Sequence, residues 1–442
     1  MSSFLSRRVE FLSVLRIRDF RIYYFGMLSS VTGHLMLVAA QGWLVYDLVG
    51  VPAALGFVAG AQAVPGLLVN LLAGALADRM DPRRLILFAQ ASAGVLTVLL
   101  ATVTLFGEIA VWHILVFAFL IGTVLSIDQP ARRTVWPALV PRDQFIHAAS
   151  LNQTVWNGTR VFAPALALGT IAVVDRVTGD ARLGAAIAFY ASTLGFAGIV
   201  VAVLMIKIPQ IRRSTGATVL HDIRDGLVFV VRNRVFLMLL LLTFTIGFFG
   251  LSFHQLMPAL AKDDLNVGPS GLGLILSVGG VGGIAGIFVA ASFGAYTSRS
   301  WVMVGGAFLL GASVLALAVS SFFGSFAFAM VFVGLASAFW TVFQVSTNVV
   351  LNLLVPEEFR GRVMGLRSII WSLSPLGALL GGVIATWANS TPFAIGLGGG
   401  AILVITLSMY VLSSDLRHVR ELVEEVDAER AERGADGRPA RA

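Results

Sequence analysis

The chain has 442 residues, 57% of them hydrophobic and 12% charged, with a mean hydropathy of +0.88 and a net charge of +7. No soluble domain needs that much apolar surface, so the composition predicts a polytopic helical membrane protein. The pI near 10.3 does not point to nucleic acid, because the arginines fall between apolar runs, and the absence of cysteine excludes disulfides, thiol catalysis and cysteine metal sites.

Apolar runs bounded by charges or turn residues predict twelve membrane helices, at residues 21–48, 53–77, 84–106, 110–128, 146–173, 184–206, 235–261, 270–296, 301–321, 325–350, 364–388 and 393–413. Helix is the expected form, since backbone polar groups in lipid must be satisfied within their own segment. The N-terminus carries no short apolar core followed by a small-residue cleavage site, so no cleaved signal peptide is expected. Between the second and third spans, Gly74 to Arg84 reads G-A-L-A-D-R-M-D-P-R-R, and such charges belong at a membrane surface. Of the 31 basic residues, all but Arg160, Arg176, Arg182 and Lys262 fall on the side of this loop. Short Arg-rich loops stay cytoplasmic, which predicts a multi-pass protein of the cytoplasmic (inner) membrane with both termini in the cytoplasm.

Polar side chains inside the spans mark a candidate cavity. In the first span His34 lies near the centre, with Gln41 seven residues on and on the same face. An imidazole there could carry a coupling proton or simply hydrogen-bond within the bundle. In the fifth span Gln153, Asn157 and Arg160 follow i, i+4, i+7 and share one face. An arginine at that depth must face a wet cavity or a partner, which leaves two readings open: a contact to an anionic or polar substrate, or a structural pair. His254 in the seventh span lies on a stripe with Thr243, Gly247 and Gly250 and is a second histidine candidate. In the tenth span Ser337, Thr341, Gln344, Asn348 and Asn352 share a face, and Thr341 to Asn348 is expected to form cavity wall. On these boundaries no acidic residue lies at mid-membrane, Asp47 and Asp128 being near span ends. Gly279 to Gly286 lies inside an apolar helix rather than after a strand, so it reads as helix packing and not as a dinucleotide loop. The sixth, ninth and twelfth spans hold no charge, as expected for helices facing lipid.

An internal repeat organises the spans. Arg16-Ile17-Arg18-Asp19-Phe20 matches Arg232-Asn233-Arg234-Val235-Phe236, Leu55-Gly56 matches Leu272-Gly273, Gly74-Ala75 matches Gly294-Ala295, and Leu139-Val140-Pro141 matches Leu354-Val355-Pro356. The offsets lie between 215 and 220. The division expected is a six-helix half over 1–206, a cytoplasmic linker over 207–234, a second six-helix half over 235–413, and a charged cytoplasmic tail over 414–442.

Two parallel six-helix halves are the layout of major facilitator transporters, and particular residues carry a closer resemblance. Gly74 to Arg84 resembles that superfamily's loop signature. Asp128-Gln129-Pro130-Ala131-Arg132, Arg160-Val161-Phe162-Ala163-Pro164 and Pro356-Glu357-Glu358-Phe359-Arg360-Gly361-Arg362-Val363-Met364 resemble the enterobactin-exporter-like, transmembrane secretion effector branch of drug and siderophore exporters. The resemblance implies an all-α fold with the substrate path between the halves. It also implies a cytoplasmic gate latch, in which Asp78 faces the start of the eleventh span and the arginines engage Asp128. The latch set is Gly74, Asp78, Arg79, Arg83, Arg84 and Asp128, with Arg360 and Arg362. Three departures stand out. Asp81 replaces the usual glycine of the loop, Ser298 replaces the acidic residue in the second half, and Ala163, Ala167 and Leu168 replace the glycines of the antiporter motif around Pro164.

The sequence contains no phosphate loop, metal cluster, catalytic triad or ATPase motif, so neither an enzyme nor a bound cofactor is expected. The expected function is a secondary active transporter, coupled to protons and exporting a small amphiphilic molecule, with the cavity formed by His34, Gln41, Gln153, Asn157, Arg160, His254, Thr341, Gln344 and Asn348. Its expected partners are that substrate, the proton and the lipid bilayer, with no nucleic acid, and it is expected to be a monomer. An importer or lipid translocator on the same fold is the alternative, with a membrane sensor or enzyme behind it.

Overall fold

The computed structural model describes residues 13–77, 81–208, 219–250, 252–292 and 299–412. Asp78 and Arg79 of the loop, Ser298, and the charged tail lie outside these residues. Among the described residues there is no strand. Six long helices come first: α1 (Arg18–Val49), α2 (Pro52–Ala77), α3 (Pro82–Phe106), α4 (Val111–Ala138), α5 (Phe145–Thr178) and α6 (Ala181–Met205). A shorter helix, α7 (Val219–Arg232), lies in the stretch that joins them to the rest. Six more follow: α8 (Arg234–Asp264), α9 (Pro269–Ser292), α10 (Arg299–Phe322), α11 (Phe326–Leu354), α12 (Glu357–Trp387) and α13 (Thr391–Leu412). Eleven helices in the described residues are long and apolar enough to cross a membrane, and the 26-residue α2 runs among them.

Packing divides the helices into two sets. In the first, α6 lies along α1 and α3, and α4 lies along α2 and α3. In the second, α11 packs between α9 and α10, and α13 packs on α10. The sets meet chiefly where α5 crosses α9 and where α2 crosses the second part of α12. The sixth, ninth and twelfth spans turn large apolar side chains outward, among them Leu194 of α6, Val319 of α10 and Val404 of α13. That is the surface a lipid-facing helix requires.

Local chemistry sets several of the ends. The α1 helix stops at Gly50, which takes a left-handed φ of 61° and returns its N–H to the carbonyl of Tyr46. Asp81 caps α3: its carboxylate accepts from the Arg83 N–H at 3.0 Å, and Pro82 fills the first turn where no donor is needed. The replacement of the loop glycine thus trades turn freedom for a defined helix start.

Three boundaries differ from the sequence reading. The fourth span, expected to end at 128, continues as α4 to Ala138, with Pro130 inside it. Membrane helices tolerate an internal proline where surrounding groups can satisfy the carbonyl it frees. The eleventh starts at Glu357, outside the apolar run, and breaks at Leu373, just before Pro375. The seventh reaches Asp264 and contains π turns at Ile246–Gly250 and Leu260–Asp264.

The Gly279–Gly286 stretch is a packing surface, as its place in an apolar helix predicted. A Cβ on Gly280 would lie 2.7 Å from the Val161 backbone of α5, and one on Gly282 would strike the carbonyl of Gly334 in α11. Close helix contact at these two points is what excludes any side chain.

Candidate functional site

A cavity of about 1020 Å³ lies between the two helix sets, in the half of the molecule nearest the Arg-rich loops. Its walls come from the parts of α4, α5, α9 and α11 that point toward that face. Arg133, Gln153 and Arg160 are exposed there. Gln153, Asn157, Arg160, Thr341, Gln344 and Asn348 all line it. So do the indole and phenyl rings of Trp136, Trp156, Trp340 and Phe288, giving a mostly polar surface with four aromatic rings set into it.

The opposite end is shut. Lys262 of α8 meets Asp47 of α1 at 2.6 Å, and Tyr46 donates to Asp263 beside it. The Ala53 N–H at the start of α2 donates to Thr386 of α12 at 2.9 Å. Here Gly56 and Gly382 allow backbone contact: a Cβ on Gly56 would sit 2.7 Å from Leu379, and one on Gly382 2.8 Å from the carbonyl of Pro52. The partners in the two polar contacts are 215 and 217 residues apart. These separations lie within the offset of the internal repeat, so each contact joins equivalent ends of the first helix of each set. That offset was the signal by which sequence reasoning could have found them.

Arg367, which the sequence reading did not single out, organises the α11 wall. It is 7% exposed and donates to the side-chain oxygens of Asn348 and of Gln344, the latter at 2.9 Å. A guanidinium can only donate, so both amide oxygens must face it. The Asn348 amide nitrogen is used by the Gln344 carbonyl at 3.1 Å, which leaves the Gln344 amide N–H₂ to the cavity.

A smaller chamber of about 240 Å³ lies inside the first helix set and shares Gln129, Arg132 and Trp156 with the cavity wall. It contains a buried polar network. Arg132 pairs with Asp128 at 2.5 Å and donates to Ser30 at 2.8 Å, and Ser30 donates to Gln90 at 2.8 Å. Asp128 is 3% exposed and Arg132 5%. With α4 running to Ala138, Asp128 sits about 15 Å from the helix end at 1.5 Å per residue. This corrects its placement near a span end: the polar run Asp128-Gln129-Pro130 reads as a terminus, yet the helix passes through it. Among the described residues, Asp128 touches neither Arg83 nor Arg84. Its carboxylate is held by Arg132 one turn on, while Arg83 donates to the Leu204 carbonyl of α6 at 3.1 Å and Arg84 is exposed.

Removing either member of this pair would strand a buried charge. Asp128→Ala is expected to cost about 3–5 kcal/mol, seen as a lowered Tm of the purified protein in detergent. The double change Asp128→Leu with Arg132→Met should recover most of it, since an apolar pair of similar volume is tolerated. An unchanged Tm for the single variant would show that the pair carries no such weight.

Three expected cavity residues lie elsewhere. His34 lines the small chamber, and its Nδ1 has no partner there. Gln41 shares its face but, at 2% exposure, is enclosed toward the shut end. His254 is not among the lining residues, and the Ile246–Gly250 π turn lies between it and Thr243 on the expected stripe. The stripe drawn from Thr243 at regular helical spacing therefore no longer applies beyond Gly250. Of the remaining latch residues, Gly74 lies in α2, and Arg360 faces Glu357 of its own helix at 4.0 Å. Arg362 reaches Asp225 of α7 at 3.6 Å, and Phe359 stacks on Phe229 at 4.2 Å, so this end of α12 is tied to the joining helix.

The sequence model of the transmembrane secretion effector family matches residues 10–432. Macrolide efflux protein A of Streptococcus pyogenes is 24% identical over 320 residues, covering 71% of this chain and 76% of that protein. The staphyloferrin A transporter of Staphylococcus aureus is 25% identical over 366 residues, 82% of this chain and 88% of that protein. The fold is similar to the crystal structure of a bacterial homologue of the iron transporter ferroportin in an inward-facing state. That match has a TM-score of 0.67 and 16% identity, and covers 90% of this chain and 99% of that one.

Proposed function

Because the chain belongs to the transmembrane secretion effector family of the major facilitator superfamily, we propose that it exports a small amphiphilic molecule by alternating access, driven by proton antiport. It is a multi-pass membrane transporter and not an enzyme. The observation that carries the export reading is the cavity itself: about 1020 Å³, lined by polar side chains and four aromatic rings, reached from one face while the other is shut. Substrate sites of this fold lie between its halves. Proton antiport is the natural energy source for a chain whose sequence has no ATPase motif.

In this reading the spans number twelve, α2 being the twelfth. The Arg-rich face, with both termini, is cytoplasmic, and the structure is the inward-open state. Residues 1–206 and 235–413 are the rocking halves, 207–234 the linker and 414–442 a cytoplasmic tail. The latch of Gly74, Asp78, Arg79, Arg83 and Arg84 with the start of α12 forms when the cytoplasmic side closes. The coupling proton is carried in the small chamber by His34 or Asp128, next to the cavity wall. The protein acts as a monomer.

The test is the accumulation of a chemically varied compound panel in cells with and without the gene, each with and without a protonophore. Lower accumulation that depends on the gene and is abolished by the protonophore is the expected result. Higher accumulation with the gene would reverse the direction, and a difference that survives the protonophore would remove the proton.

A further inference from the structure

We infer that the molecule held in the cavity is an organic anion, an amphiphile whose acidic group is bound at Arg160. The inference rests on reading the cavity as the substrate path and adds the sign of the substrate's charge. Three observations carry it. First, among the described residues no Asp or Glu lines the cavity, whereas Arg132, Arg133 and Arg160 do. Arg132 is neutralised by Asp128 at 2.5 Å, but no carboxylate in the lining offsets Arg133 or Arg160. Second, Arg160 is exposed to the cavity near the middle of α5, where an arginine needs an anion or water to satisfy five donors. Third, the facing wall also donates. Arg367 takes the oxygens of Gln344 and Asn348, so Gln344 presents its N–H₂ across the cavity from Arg160.

A site built of two cations and a fixed amide donor, with no fixed acceptor of negative charge, favours an acid and rejects an amine. The rings of Trp136, Trp156 and Trp340 supply the apolar contact that makes the preferred acid amphiphilic.

A matched pair of probes tests it: 1-pyrenebutyrate and 1-pyrenebutylamine share a skeleton and differ in charge. Their binding to the purified protein in zwitterionic nanodiscs is read by energy transfer from the cavity tryptophans, with empty nanodiscs as the partition control. The acid is expected to bind about tenfold or more tightly than the amine, the effect of a charge-assisted hydrogen bond. Arg160→Gln is expected to erase that preference, and Arg160→Lys to keep part of it. Equal binding, tighter amine binding, or a preference unchanged in Arg160→Gln would overturn the inference. Gene-dependent export of the amine with no acid preference in binding would overturn the anion site and leave the exporter standing. Acid-selective binding without any gene-dependent export would uphold the site and remove the exporter.

Discussion

Export is expected to fall to the level of cells lacking the gene when Arg160 is replaced by alanine, while the amount of folded protein in the membrane stays unchanged. The reason is position. Arg160 lines the cavity and is exposed to it, so its removal leaves no buried partner stranded and opens no void in a packed core. The helix keeps its backbone, and alanine is the best helix former. What disappears is the only guanidinium on the α5 wall. Transport assays in cells, with membrane levels followed by immunoblot and folding by size-exclusion elution, give the readout. Wild-type export rates would remove Arg160 from the mechanism, and loss of the protein from the membrane would make its role structural.

A second large effect is expected at the shut end. Any motion that opens this face must separate Asp47 from Lys262 and Tyr46 from Asp263. The chain has no cysteine, so Asp47→Cys with Lys262→Cys introduces the only two thiols. Bridging them with a short bifunctional methanethiosulfonate is expected to stop transport, and a reductant to restore it. The single variants, treated alike, should keep transporting, because an ion pair with side chains 38% and 31% exposed contributes about 1 kcal/mol or less. Full transport by the bridged protein would mean that this face does not open during the cycle.

The sequence and the structure agree where the physics is local. Hydropathy locates the helices because lipid imposes one backbone solution on every span. Gln153, Asn157 and Arg160 lie on one wall because helical spacing alone puts them there, and Thr341, Gln344 and Asn348 follow the same rule on α11. The failures come where that spacing is interrupted or where the partner is distant. The stripe drawn through His254 crosses a π turn that no single-sequence pattern announces. Asp128 was read as a terminus because polar residues and a proline end most apolar runs, and only packing shows that α4 continues through them. Arg367 gave no sign because its partners are 19 and 23 residues away on another helix. Asp47 and Lys262 were not paired in the sequence reading either, yet their separation matches the repeat offset and their charges are complementary, so both signals were present.

The buried pair in α4 has a further consequence. Asp128 and Arg132 are one turn apart on a single helix, so rigid-body movement of one helix set against the other leaves their separation unchanged. Lys262 and Asp47 are on different sets and part whenever the sets part. The α4 pair therefore keeps its geometry whichever way the molecule faces, beside the wall shared at Gln129 and Trp156. The pair at the shut end does not: it exists in one orientation and is broken in the other.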